Sequence, residues 1–182
     1  MNSDLIETVI AAQRGNKDAL MSLFNRYNKG MYNICIRLTA NREDAEDVLQ
    51  DAFILALAEI GKLKKPDSFG SWLKKIVVHE CLRFCKKQMV REKFNNTHET
   101  ENFAFDDDWW INVSMQDIHH AIKSLPLGCR LVFVLYALEN YSHKQVAHAL
   151  EISEGTSKSQ YHRARALLQQ IIIKKFETNG QV

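Results

Sequence analysis

Lys158, Ser159, His162, Arg163 and Arg165 crowd into eight residues near the end of a 182-residue chain. Cationic and hydrogen-bonding side chains at helical spacing suit phosphates and base edges, the chemistry of duplex recognition in a major groove. Lys158, His162 and Arg165 fall on one side of a helix, with Ser159 and Arg163 beside them. A helix that displays such a side must bury another. Ser157, Tyr161, Ala164, Leu168 and Ile171, spaced by four, three, four and three, supply it. Upstream, Ser142 and Gln145 have the S-x-x-Q spacing of a capping box, and Val146, Ala147 and Leu150 form a short apolar stripe. Ser153 can cap again, so two helices joined by a tight turn at residues 151–154 are expected, the second of them basic. That is the layout of a helix-turn-helix. An ordinary helical hairpin with a solvated face shares the composition, but two caps around so short a turn favour nucleic-acid binding.

Charge is segregated elsewhere too. From Lys62 to Lys93 ten Lys and Arg stand against Asp67, Glu80 and Glu92, whereas Phe94 to Ile118 holds six acids and no Lys or Arg. The net charge of +2 decides little, but blocks of one sign suggest a polyanion partner for the basic ones. Within the basic block Lys64, Lys65, Ser68, Phe69, Trp72, Lys75, His79 and Arg83 interleave cations with rings. Proteins that hold single strands use this pairing: charge follows phosphates and rings stack on unpaired bases. Core packing is the competing role for Phe69, Trp72 and Phe84. Before this block, Asn41 can cap a helix whose first turns carry Glu43, Asp44, Glu46, Asp47 and Asp51. Ala45, Val48, Leu49, Ala52 and Ala56 give that helix a buried side. Asp44, Asp47, Gln50 and Asp51 are left on the other, with Phe53 beside them, as a docking surface for a protein.

No catalytic constellation accompanies these faces. The chain lacks a glycine-rich phosphate loop, G-x-S-x-G and H-E-x-x-H, so no catalytic residue, metal or cofactor is expected. Cys35, Cys81, Cys85 and Cys129 sit in apolar helical patterns without a disulfide-scaffold spacing, as buried reduced thiols would. His79 and Cys81 point to different faces, which argues against zinc. The N-terminus has no apolar signal core, and the longest apolar run, residues 131–138, is too short to span a bilayer. The reading is a cytoplasmic protein.

The elements that must carry these faces are helices. With 7 Gly and 2 Pro and long 3.6-periodic stretches the chain reads as all-α. A first helix over residues 3–13 ends at Arg14-Gly15-Asn16. The second carries Leu20, Leu23, Phe24, Tyr27, Met31, Ile34, Cys35 and Leu38. Ser68 is a candidate cap for a helix over residues 69–88, and further helices are expected at 117–125, before Pro126, and at 128–138. Residues 90–116 lose periodicity and end near Asp106-Asp107-Asp108-Trp109-Trp110. They form an acidic flexible linker between two small helical domains, residues 1–89 and 117–182.

Two separated segments resemble one family. Residues 37–53, RLTANREDAEDVLQDAF, followed by SFGSWLKKI at 68–76, are similar to the second conserved region of bacterial sigma factors. Leu125-Pro126, then residues 141–165 through GTSKSQYHRAR, are similar to the fourth region. A short acidic linker with no third domain resembles the extracytoplasmic-function subgroup. The resemblance implies a non-catalytic factor that lends promoter recognition and opening to core RNA polymerase. It implies polymerase docking by Asp44, Asp47, Gln50, Asp51 and Phe53. It implies capture of the melted non-template strand at the minus-ten element by Lys64, Lys65, Ser68, Phe69, Trp72, Lys75, His79 and Arg83. Duplex contact at the minus-thirty-five element falls to Lys158, Ser159, His162, Arg163 and Arg165. Core RNA polymerase and promoter DNA are the implied partners, and an anti-sigma factor is left open as a third. The chain departs from the family at Val78-His79, where Arg-Asn is common, at Ser157, usually Val or Ile, and at Gln160, usually Arg. Loss of that Arg implies one phosphate contact fewer. The runner-up reading is a stand-alone helix-turn-helix regulator that works without polymerase.

Overall fold

In a computed structural model, which describes residues 2–92 and 113–179, the chain is built from helices with no strand among the described residues. It divides into two compact units, Met1–Phe84 and Cys85–Val182. Residues 93–112 of the expected linker, with Asp106–Asp108, Trp109 and Trp110, lie outside the described residues.

The first unit holds α1 (Asn2–Gln13), α2 (Lys17–Thr39), α3 (Arg42–Glu59) and the start of α4 (Phe69–Glu92). Asn16 caps α2 by accepting from the Ala19 N–H at 3.0 Å, and Leu23, Met31, Ile34, Cys35 and Leu38 bury its apolar side. Ala40 ends α2 in the left-handed region, φ 62°, and Asn41 restarts the chain by accepting from the Asp44 N–H at 3.2 Å. So short a connection forces α3 back against α2. Phe53 enters the core there, its ring edge-on to Phe24 with centroids 4.9 Å apart. After a 3-10 turn at Ile60–Lys62, the Gln13 side-chain amide donates to the carbonyls of Ile60 and Leu63 at 3.0 and 2.8 Å. Ile60 and Leu63 are buried. The loop is thus pinned from inside while Lys62, Lys64 and Lys65 stay in water. Gly70 gives the Tyr27 ring room where α4 begins, since a Cβ there would sit 3.0 Å from that ring.

The second unit holds α5 (Met115–Ser124), α6 (Leu127–Phe133), α7 (His143–Leu150) and α8 (Glu154–Asn179). Ser114 caps α5 by accepting from the Asp117 N–H at 3.2 Å. Asp117 also bonds Lys175 of α8, and that contact first, then Ser114, holds its carboxyl below the ordinary pKa. Pro126 ends α5, and the buried Arg130 guanidinium donates to the carbonyls of Lys123 and Leu125 at 3.2 and 3.1 Å. Carbonyls left over at the helix end are satisfied in this way. The helix expected at 128–138 is interrupted: α6 gives way to a π-helical turn, Val134–Leu138, closed by the Glu139 N–H on the Val134 carbonyl at 3.0 Å. The wider turn leaves Tyr136 and Leu138 partly exposed. Two boundaries also differ from expectation. The fourth helix runs on to Glu92, and α5 starts at Met115, so helix reaches into both ends of the expected linker.

Candidate nucleic-acid interface

Ser142 and Gln145 form the capping box that their spacing predicts. The Ser142 hydroxyl accepts from the Gln145 N–H at 3.2 Å, and the Gln145 carbonyl oxygen accepts from the Ser142 N–H at 2.8 Å. Glu151 stops α7 in the left-handed region, φ 58°, and Ser153 opens α8 by accepting from the Thr156 N–H at 2.9 Å. Val146, Ala147 and Leu150 of α7 and Ser157, Ala164, Leu168 and Ile172 of α8 are buried, and Tyr161 and Ile171 are half-buried. With that side fixed, Lys158, Ser159 and His162 project into water. Lys158 pairs along the helix with Glu154 at 3.0 Å, which lowers the Glu154 pKa. Arg163 and Arg165 are half-buried, and the positive charge of Arg163 is felt by the Cys129 thiol. Gln160 turns from the exposed face and accepts from the Cys129 thiol at 2.9 Å. Burial pushes that thiol up, which keeps it protonated and a donor. The expected loss of a phosphate contact at Gln160 thus has a structural return, a tie from α8 to α6.

In the first unit Trp72, Lys75, His79 and Arg83 fall at spacings of three, four and four, one face of α4. Lys75, His79 and Arg83 are exposed and Trp72 is half-buried. Glu80, itself buried, receives Arg83 at 2.5 Å and His79 at 3.4 Å, so one interior carboxylate anchors two side chains of that face. Lys64 and Lys65 are exposed just before the turn Pro66–Ser68. Ser68 stands at the expected helix start, but its hydroxyl donates to the Lys65 carbonyl at 2.7 Å and tightens the loop. Phe69 corrects an expectation. It is wholly buried, edge-on to Tyr27 at 5.3 Å and 5.9 Å from Trp72, and offers no free ring face to a base.

Along α3, Asp47, Gln50 and Asp51 are exposed and Asp44 is half-buried, while Ala45, Val48, Ala52 and Ala56 lie inside and Leu49 is half-buried. Phe53 is a second correction: it is core, not docking surface, since its ring is enclosed against Phe24. Sequence reasoning missed Ile54 and Leu55, 61% and 38% exposed, which extend the acidic face with apolar area. The signal was present, because Ile54 and Leu55 stand three and four residues after Asp51. Cys81 and Cys85 are buried and His79 points outward, so those three do not converge on one point. Among the described residues no helix is long and apolar enough to cross a membrane.

Comparison with known proteins follows the same division. The family described as Sigma-70 region 2 matches residues 23–90, and Sigma-70, region 4 matches residues 115–168. The ECF RNA polymerase sigma factor SigM of Mycobacterium tuberculosis is 30% identical over 172 residues, 94% of this chain and 84% of that protein. SigW of Bacillus subtilis, also an ECF RNA polymerase sigma factor, is 27% identical over 168 residues, 86% and 90% of the two chains. Among solved structures, the sigma factor RpoE of Bartonella quintana, bound to the anti-sigma factor NepR, shares the fold with a TM-score of 0.53. That match has 22% identity and covers 84% of this chain and 95% of the other. CnrH in complex with the cytosolic domain of CnrY gives a TM-score of 0.51, 20% identity and coverage of 93% and 97%.

Proposed function

Because the chain belongs to the extracytoplasmic-function group of the sigma-70 family, a sigma factor for transcription initiation, we propose how its three surfaces divide that work. The exposed side of α3, Asp44, Asp47, Gln50 and Asp51 with Ile54 and Leu55, docks on a basic surface of core RNA polymerase. Acids ringing exposed apolar side chains suit such a partner, since charge steers encounter and apolar anchors hold it. The Lys64–Lys65 loop and the Trp72, Lys75, His79, Arg83 face take the melted non-template strand of the minus-ten element. Lys158, Ser159 and His162, with Arg163 and Arg165 at the edge, enter the major groove at the minus-thirty-five element. Residues 1–89 and 117–182 are the two working domains and 90–116 their linker. The protein performs no reaction of its own and works in the cytoplasm, where the polymerase is. One structurally similar protein, the sigma factor RpoE, was solved with the anti-sigma factor NepR, and the same class of partner is proposed here.

The observation that carries this reading is the capped helix-turn-helix with Lys158, Ser159 and His162 outward, in a chain whose other unit displays separate acidic and basic faces. Run-off transcription on genomic fragments, with core enzyme in the presence and absence of this protein, tests it. Discrete transcripts should arise only when both are present. Duplex binding without any polymerase-dependent transcript would instead identify a stand-alone regulator.

A further inference from the structure

Ser157 is a polar side chain with no solvent exposure, set where α8 crosses α7. Its hydroxyl lies 2.9 Å from Nδ1 of His143, the first residue of α7. With the ring proton on Nε2, Nδ1 accepts the hydroxyl proton. The His143 ring is fixed by two more contacts. It stacks on Tyr136 with centroids 4.0 Å apart and planes 14° apart, and meets Tyr161 of α8 edge-on at 5.8 Å. An apolar residue at 157 would leave the two helices free to adjust by sliding, whereas a hydrogen bond prescribes both distance and direction. Lys158 and Ser159 follow Ser157 directly, so a small turn of α8 at this point displaces the whole exposed basic row.

We propose that the Ser157–His143 hydrogen bond is the joint that sets the recognition helix on its partner helix, and that promoter affinity depends on it. This inference rests on the reading of α8 as the duplex-contacting element. The charges around the ring favour the neutral form. Lys158 and His162 of α8 add positive potential, Glu154 of α8 opposes them, and Lys144 on α7 competes for Glu154. Burial first, then Lys158, hold the imidazole below its ordinary pKa. The docked state therefore binds fewer protons than the released one. Its stability is whole above about pH 6.5, the ordinary histidine value, and is lost as pH falls from there through the lowered value.

The test uses the full chain with core polymerase and a promoter fragment recovered by the run-off selection. Promoter binding and core-enzyme capture are measured at pH 7.5 and 6.0 for the wild type, Ser157→Ala, His143→Ala, their double variant and His143→Asn. Each alanine variant should weaken promoter binding by roughly threefold to tenfold, as expected for loss of one hydrogen bond, and the double variant should be no worse than either. His143→Asn keeps an acceptor that cannot take up a proton, so it should bind like the wild type at pH 7.5 and lose less than the wild type at pH 6.0. Core capture should be the same for all. Additive single effects, or His143→Asn as weak as His143→Ala, would overturn the joint while leaving the promoter reading intact. A wild type that captures core enzyme yet binds no promoter would overturn both.

Discussion

Phe53 and Ile54 are neighbours with opposite exposure. Phe53 stands four residues after Leu49 and three before Ala56, on the enclosed arc of α3, whereas Ile54 shares its arc with Asp47 and Asp51. An aromatic next to a row of acids invites a docking role, but helical geometry outranks residue type here. Phe53→Ala should cost about 3–5 kcal/mol of stability, the usual range for emptying a buried aromatic site. Ile54→Ala, changing an exposed side chain, should alter stability by no more than about 0.5 kcal/mol. Its effect belongs to binding, where truncating an apolar anchor within a charged rim costs on the order of 1–2 kcal/mol. Thermal melts of both variants beside capture of core polymerase separate the two roles. A stable Phe53→Ala protein, or an Ile54→Ala protein that captures polymerase at full strength, would contradict the assignment.

An element carries a face only if its opposite face is secured, and α3 shows how that permits a clean experiment. Its inner side is Ala45, Val48, Ala52, Phe53 and Ala56, all buried, so the outer acids can change without opening a cavity. An exposed charge contributes about 0–1 kcal/mol to stability when it is paired. Reversing Asp47 and Asp51 to Lys should therefore leave helical content and the thermal midpoint nearly unaltered. Against a basic polymerase surface the same reversal is costly, because like charges placed across an interface cost several kcal/mol. Core capture and run-off transcription should fail together. Full transcription from a folded, doubly reversed protein would remove α3 as the docking element. Most elements were legible beforehand. The stop and restart around Ala40 and Asn41, the break at Pro126 and both caps of the helix-turn-helix come from local chemistry that sequence displays. The π-helical turn at Val134–Leu138 was not, since an uninterrupted apolar run gives the same periodic signal whether or not a turn widens.

At the scale of the whole molecule, an all-helical fold in two units was legible, and so was each exposed face that Lys, Arg or Asp mark. The polar ties behind those faces were not. His143 meets Ser157 across 14 residues and Cys129 meets Gln160 across 31, so these pairs exist only once helices have packed. Phe69 failed for a related reason: a ring between cations reads as a stacking platform until Tyr27 is found against it. What remains exposed predicts a division of labour that one experiment can resolve. On the proposed reading Lys64, Lys65 and the Trp72–Arg83 face of the first unit take single strands, and the exposed Lys158 with the half-buried Arg163 of the second take duplex. Capturing a melted strand must offset the cost of unpairing, with base stacking supplying on the order of 1–3 kcal/mol per base. A promoter that carries a pre-melted bubble removes that cost. Lys64→Ala with Lys65→Ala should therefore fail on closed duplex and recover on the bubble template. Lys158→Ala with Arg163→Ala loses contacts to a segment that stays paired, so the bubble should restore little. If those two contacts are to phosphate, the salt dependence should become shallower by about one unit for each. Permanganate footprints and run-off yields on the two templates supply the measurement. Equal rescue of both pairs, or normal opening by the Lys64 and Lys65 variant on closed duplex, would show that the two units do not divide the promoter in this way.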